Sequence, residues 1–367
     1  MSNIVQSFNM ALPINFTPGP SQVYFTVEDH VRQAFREGIP SISHRSKQFE
    51  QHFRGCREGL TELLNLPAGW HVFFTSSATE VWERSLQNLV ASRSHHFVNG
   101  AFSAKFHEFA TLLGKQPTAD VVAEGCGFDS INIPQDTELI AITQNETSTG
   151  VSVTPEWIRS IRMQYPQALI IVDGVSALPH LQPDFNDVDS VFFSVQKGFG
   201  LPAGLGVWMV NDRCLAVSEN LRAAGHRTGT YHTLAALASN AKKDQTPSTP
   251  NVLGIYLLDQ VIKDFLRRGI NSIRQETAYK SALLYNCLEG HSLVNPFVQR
   301  RDHRSPTVVV ANSGEHTKRL YDHLLAHGLQ AGEGYGAGKK TQLRFANFPA
   351  HSKETYEQLC DLIAAFN

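Results

Sequence analysis

The sequence predicts an α/β fold: a large domain built on a mostly parallel sheet flanked by helices, followed by a smaller C-terminal α+β domain. Three observations predict it. Strand-like apolar runs and helix-like stretches alternate through the first two thirds of the chain, as in a parallel sheet with helical crossovers. Two of the apolar runs end in reactive side chains: Leu169-Ile170-Ile171-Val172 leads into Asp173-Gly174, and Val191 to Val195 leads into Gln196-Lys197-Gly198. At Thr246-Pro247-Ser248-Thr249-Pro250 the alternation breaks, and a long helical stretch begins. The 367 residues exceed what one core usually fills, so two units are expected, 14–250 and 251–367.

The elements follow in order. Glu28 to Arg36 reads as a short helix and Lys47 to Leu64 as a longer one. Val72-Phe73-Phe74 is a short buried strand, followed by a helix from about Thr79 to Ser92. His96-Phe97-Val98 is a strand and Ala101 to Leu113 a helix. Val121-Val122-Ala123 and Leu139-Ile140-Ala141-Ile142 are strands. Thr154-Pro155-Glu156 puts a capping threonine before a proline at the first helical position and opens a helix to about Tyr165. The strands ending at Asp173 and Lys197 come next, then Leu205 to Val210. Beyond the proline pair, helices are expected over Leu253–Arg268, Ser272–Cys287, His316–His327 and Glu354–Ala365, with strands at Thr307–Val310 and Leu343–Phe345.

Composition excludes several classes. The chain is 42% hydrophobic and 18% charged with a formal net charge of -2, and it has no basic stripe suited to nucleic acid. No run of apolar residues is long enough for a transmembrane helix, and Met1 to Pro13 lacks the cationic start and apolar core of a signal peptide. The five cysteines are odd in number and scattered, without a CxxC, which points to free thiols in a reducing cytoplasm. None of the 16 histidines falls in an HExxH pattern, so no metal is expected, and His95-His96 reads as part of a strand edge. Gly334 to Thr341 looks like a phosphate-binding P-loop only in outline, because Lys340 stands where serine or threonine is required.

The chemistry lies at the strand ends. A lysine closing one buried strand and an aspartate closing another place an amine and a carboxylate on one edge of a parallel sheet, where open α/β folds bind ligands. Each residue also has an ordinary reading, a solvated lysine and a helix-capping aspartate. Together they match what pyridoxal 5'-phosphate requires: a Schiff-base amine, and an acid to keep the pyridine nitrogen protonated. Other loops follow other strands. Ser76-Ser77-Ala78-Thr79 stands where a helix N-terminus either caps itself or binds an anion. Phe102 is placed to stack on a flat ring or to join the core. Thr147 is placed to reach a phenolic oxygen or to shape a polar turn.

The chain resembles the class V aminotransferases of the fold-type I pyridoxal-phosphate enzymes, most of all the phosphoserine aminotransferase branch. The resemblance is carried by Asn15-Phe16-Thr17-Pro18-Gly19-Pro20, Ser43-His44-Arg45-Ser46, Ser76-Ser77-Ala78-Thr79, Asn145-Glu146-Thr147-Ser148-Thr149-Gly150, Val172-Asp173-Gly174-Val175-Ser176, Ser194-Val195-Gln196-Lys197-Gly198 and Thr246-Pro247-Ser248-Thr249, in family order over nearly the whole length. It implies a seven-stranded large-domain sheet, pyridoxal 5'-phosphate as cofactor, amino-acid and 2-oxo-acid substrates, and a homodimer with active sites at its interface. By the same resemblance Lys197 forms the Schiff base and shuttles a proton, and Asp173 pairs the pyridine nitrogen. Thr147 meets the phenolate oxygen, Phe102 stacks on the ring where the branch usually has tryptophan, and Ser77, Ala78, Thr79 and Gln196 surround the phosphate. Gln245 and Thr246 would reach a cofactor phosphate across the interface, His44 and Arg45 the neighbour's substrate, and Arg344 the substrate α-carboxylate.

The sequence departs from the branch at three places: Phe102 stands for its usual tryptophan, Thr79 for the usual arginine after the small residues of the phosphate loop, and a third lies near the C-terminus. Where a His-Arg pair normally precedes the carboxylate-binding arginine and grips the substrate phosphate, this chain has Ala337 and Gly338, followed by Lys339 and Lys340. Lys339 or Lys340 is the candidate replacement for the missing charge, the ordinary reading being that both are solvated loop lysines. A transaminase for serine, alanine or aspartate is the alternative, and a non-catalytic scaffold the remoter one. A desulfurase would need a reactive cysteine on a mobile loop near the cofactor, and the only cysteine that follows Arg344, Cys360, lies in the terminal helix pattern.

Overall fold

The computed structural model describes residues 12–367, so the expectation about a signal peptide falls almost wholly outside the described residues. Seven strands form the larger sheet, in the order Trp70–Thr75, Gly206–Asn211, Ser190–Ser194, Leu169–Asp173, Leu139–Thr143, Arg93–Val98 and Gln116–Val121. Gly206–Asn211 runs antiparallel to both of its neighbours, and the remaining pairings are parallel. The strands Leu139–Thr143, Leu169–Asp173 and Ser190–Ser194 are buried at every residue. That explains why they read as continuous apolar runs rather than alternating ones.

Alternate residues of these strands feed two cores. Ile140, Ile170, Val172, Val191 and Phe193 pack with Phe49, Phe53 and Leu60 of the helix Lys47–Leu64. Leu139, Leu169, Ile171 and Phe192 pack on the other face with Trp82, Leu86 and Phe106. Helix starts are capped as the sequence suggests. The Thr154 hydroxyl accepts from Trp157 N–H at 3.2 Å ahead of Pro155–Gln164, and the Ser46 hydroxyl from Phe49 N–H at 3.2 Å ahead of Lys47–Leu64.

A second sheet has the order Ile14–Phe16, Leu329–Glu333, Gln342–Ala346, Val308–Asn312 and Asn295–Pro296. Its covered face packs Phe16, Leu343 and Phe345 against Leu284 and Leu288 of Ile270–Glu289 and Tyr356 and Leu359 of Lys353–Ala364. Because side chains alternate along a strand, Arg344 points away from that core, toward the first unit.

Several expectations are corrected. The strand expected at Val121–Ala123 is Gln116–Val121, an edge strand whose polar residues concealed it, pinned by pairing with Arg93–Val98. His95 and His96 lie buried within Arg93–Val98 between two neighbouring strands, not at a sheet edge. The first unit does not own residue 14 onward, since Ile14–Phe16 pairs with Leu329–Ala331 in the second sheet. Nor does the second unit begin at 251. The helix Val252–Arg268 buries Val261, Ile262 and Phe265 in the core that holds Phe49 and Phe53, so Thr246–Pro250 is a packed turn rather than a link between units. Two helices, Asp212–Ala223 and Leu234–Ala241, carry no strong periodic signal and were not anticipated.

Candidate active site

The carboxyl ends of the parallel strands converge on one cavity. Lys197, three residues past Ser190–Ser194, and Asp173, the last residue of its strand, both line it and are both buried. The Lys197 amine donates to the Thr147 hydroxyl at 2.8 Å. Thr147 in turn donates to the Ser176 hydroxyl at 2.9 Å, and Ser176 donates to Asn145 O at 2.8 Å. Burial pushes the Lys197 amine down to about 8, with the Asp173 charge opposing the shift. Burial pushes the Asp173 carboxyl up to about 6, against hydrogen bonds from Val175 N–H at 3.0 Å and the Trp82 indole at 3.1 Å. Gly19 carries φ +136°, and a Cβ there would stand 2.7 Å from Lys197 Cε, so the close approach of this turn to the lysine requires glycine.

The helix Ala78–Leu89 begins at the same cavity, lined by Ala78 and Thr79. The Ser77 hydroxyl accepts from Glu80 N–H at 3.2 Å and caps this helix, flanking the cavity rather than lining it. Glu80 holds Ser76 by its amide at 2.8 Å and its hydroxyl at 2.7 Å, and lies 2.7 Å from His232. Burial pushes Glu80 up, but the His232 and Ser76 hydrogen bonds prevail and hold it at about 2. The result is a fixed cup of small residues at a helix N-terminus, suited to an anion.

Phe102, at the start of Ala101–Leu112, presents a flat face, with the Lys197 amine 5.4 Å from its ring centre. Its helix is anchored by Glu146, a fully buried carboxylate. Glu146 accepts from Ser103 N–H at 2.9 Å, Ser148 N–H at 3.0 Å and the Ser148 hydroxyl at 2.7 Å.

Arg344 lines the opposite wall. Its Nε donates to Glu333 O at 2.7 Å and an Nη to Thr147 O at 3.2 Å. Gln196 also lines the cavity. The remaining expected residues lie elsewhere in the chain. Arg45 donates to Gln245 Oε1 at 2.8 Å and Thr246 O at 2.9 Å, which gathers three of them into one cluster, and His44 lies beside it in sequence. None of these four lines the Lys197 cavity, and neither does Lys339, which pairs with Glu333 at 3.3 Å.

Sequence reasoning missed Trp82, Ser176, Glu146 and Tyr335 as contributors. Trp82 had a readable signal, since it stands one helical turn after Ala78 and so on the same face. Glu146 and Ser176 stood inside the matching segments without a role assigned, and Tyr335 depends on contacts between distant segments and had no signal.

The residues present fit pyridoxal 5'-phosphate. Gln196 Oε1 and Asn145 Oδ1 are buried at the cavity without a hydrogen-bond partner, so polar groups await a ligand. Asp173 keeps lone pairs beyond the two donors it has, the Phe102 face suits an aromatic ring, and the helix cup suits a phosphate. Among the described residues no cluster of His, Cys, Asp and Glu is arranged to hold a metal ion, and no helix is long and apolar enough to cross a membrane.

Comparison with known proteins agrees with this chemistry. The family profile Aminotransferase class-V matches residues 120–338. The phosphoserine aminotransferase of Rhodococcus opacus is 30% identical over 325 residues, covering 86% of this chain and 85% of its own. The crystal structure of a phosphoserine aminotransferase from Cytophaga hutchinsonii matches with a TM-score of 0.95 at 44% identity, over 96% of this chain and 99% of that one. An aspartate aminotransferase from Thermus thermophilus, 22% identical with a TM-score of 0.79 over 95% of this chain and 97% of its own, shares the fold. With its lysine, aspartate and anion cup set at the sheet edge, the chain belongs to the class V aminotransferases and is a pyridoxal-phosphate-dependent aminotransferase.

Proposed function

We propose that the enzyme moves the amino group of L-phosphoserine to a 2-oxo acid, 2-oxoglutarate being the expected acceptor. The observation that carries this reading is that Lys197 and Arg344 line one cavity, an amine together with a guanidinium whose hydrogen bonds go to main-chain oxygens and leave it able to take an α-carboxylate. The named relatives from Rhodococcus and Cytophaga direct it to phosphoserine.

Bound in this cavity, pyridoxal phosphate supplies a carbonyl for the amino group and a ring that accepts electron density from the substrate's α-carbon. The chain's own residues do the rest. Asp173, with one oxygen on Val175 N–H and the other on Trp82, stabilises positive charge on a ring nitrogen. Thr147 accepts from the lysine amine, and its one proton, given to Ser176 in this structure, would turn to a ring oxygen when the cofactor is bound. Phe102 fixes the ring plane, and Ala78, Thr79 and Gln196, flanked by Ser77, receive the phosphate. Arg344 fixes the substrate by its carboxylate, in a bidentate manner that lysine cannot copy. Lys197, whose amine burial lowers to about 8, would hold and move the substrate's α-proton, its free-base share rising as pH approaches 8. Two half-reactions through one site give ping-pong kinetics.

The assembly we infer is a homodimer, in the cytoplasm. The cluster of Arg45, Gln245 and Thr246 lies outside this chain's own cavity, as expected if it serves a second copy beside His44. The free cysteines suit a reducing compartment.

One observation favours a second reading, a transaminase for unphosphorylated serine or alanine. Of the residues lining the cavity only Lys197 and Arg344 are cationic, and Ala337 and Gly338 replace the expected His-Arg pair. Spectral titration of the loaded enzyme with L-phosphoserine, L-serine, L-alanine and L-glutamate decides between them. Conversion by phosphoserine at far lower concentration than by serine supports the first reading, and the reverse order replaces it with the second.

A further inference from the structure

Tyr335 lines the same cavity and has no part in the chemistry above. It stands just before the short turn Gly336–Lys340, whose base is closed by Gly334 N–H on Gln342 O at 2.8 Å and by Lys339 on Glu333 at 3.3 Å. At Gly334 a Cβ would fall 2.2 Å from Gly338 O, so the turn folds tightly on itself, while Tyr335 keeps 41% of its surface exposed. The Tyr335 ring centre lies 5.4 Å from that of Phe102, at 43° between planes. The Arg344 guanidinium carbon lies over the same ring, 5.5 Å from its centre.

Arg344 is an unusual cation. It is partly buried, burial holds it below the ordinary arginine range, and no carboxylate pairs with it among the described residues. Its two hydrogen bonds go to main-chain oxygens, of Glu333 and Thr147, which orient the group without neutralising it. An aromatic face attracts a guanidinium through the ring quadrupole and adds no charge. A carboxylate in the place of Tyr335 would pair with Arg344 and compete with any acidic ligand, whereas an aliphatic side chain would leave the cation with less stabilisation.

We propose that Tyr335 is a positioning residue whose ring face holds the Arg344 guanidinium in register with Phe102, un-neutralised and ready for a substrate α-carboxylate. The proposal rests on the reading of Arg344 as the carboxylate anchor. Every amino donor and 2-oxo acid shares that carboxylate, so the effect of Tyr335 falls on all substrates alike, unlike that of a residue reading the side chain.

The test uses the loaded enzyme with Tyr335→Phe, Tyr335→Leu and Arg344→Ala. Binding of succinate, an unreactive dicarboxylate, is followed by the change in the visible absorbance band. KM and kcat are measured for one amino donor and for 2-oxoglutarate. Tyr335→Leu is expected to raise the succinate dissociation constant and both KM values by about three- to thirtyfold, with kcat within about twofold, while Tyr335→Phe stays within about twofold throughout. Unchanged succinate binding in Tyr335→Leu overturns the proposal if Arg344→Ala still abolishes binding. Equal losses in the Phe and Leu variants also overturn it, since the hydroxyl and not the face would then matter. If Arg344→Ala binds succinate as the wild type does, the anchor reading and the proposal fall together.

Discussion

Lys197 and Asp173 show how burial sets reactivity at a single residue. An exposed lysine would be protonated at neutral pH and useless as a base. Here burial lowers the amine to about 8 despite the attraction of Asp173. The proton is therefore lost as pH rises through about 8 rather than near the ordinary lysine value, so capture of added pyridoxal phosphate by the apoprotein should accelerate through that range and level off above it. Stopped-flow absorbance against pH checks this, and a midpoint near 10 contradicts it. In Lys197→Ala the visible band should be absent altogether. Asp173 depends on Trp82 for one of its two donors. Trp82→Phe keeps the packing and removes that donor, so cofactor affinity should fall by about five- to tenfold, which equilibrium titration reads. Lys197, Asp173, Thr147 and Arg344 were legible in the sequence because each sits in a short local pattern. Tyr335 was not, because Phe102 and Arg344 are brought to it from remote segments by the fold.

At the scale of elements, the start of the helix Ala101–Leu112 joins the two halves of the site. Glu146 comes from the hairpin Asn145–Glu146/Val151–Ser152 and accepts from Ser103 N–H, so the hairpin that carries Thr147 also anchors the helix that carries Phe102. Gly100 makes this possible, since a Cβ there would lie 2.4 Å from Glu146 Cγ. Gly100→Ala should therefore cost about 1–3 kcal/mol of stability by overpacking and should weaken cofactor binding as well. Thr154→Ala, which removes a helix cap far from the site, should cost about 1 kcal/mol with cofactor affinity unchanged. Denaturant melts of the apoproteins, paired with cofactor titrations, separate the two, and equal affinities in both variants would show that the anchor has no bearing on the site. The central strands were legible because they are apolar on both faces. The edge strand Gln116–Val121 was placed too late because its side chains are largely polar, and only pairing with Arg93–Val98 defines it.

For the whole molecule, the decisive fact is that one chain holds two sets of the residues expected at a site apart. Lys197, Asp173, Thr147, Phe102 and Arg344 share a cavity, while Arg45, Gln245 and Thr246 bind one another outside it. Resemblance alone suggested that separation; physically it follows from the helix Val252–Arg268 packing on Lys47–Leu64 and bringing the preceding turn to Arg45. If the second set completes the cavity of a neighbouring copy, each site takes Lys197 from one subunit and Arg45 from the other. Lys197→Ala and Arg45→Ala should then each inactivate the pure dimer, the first fully and the second by loss of the segment that Arg45 ties down. Co-refolded in equal amounts, half of the dimers are hybrids, and each hybrid has one site with both residues intact, so about a quarter of wild-type activity should return. If the Arg45 cluster serves its own chain, every site in the mixture carries one defect and no activity returns.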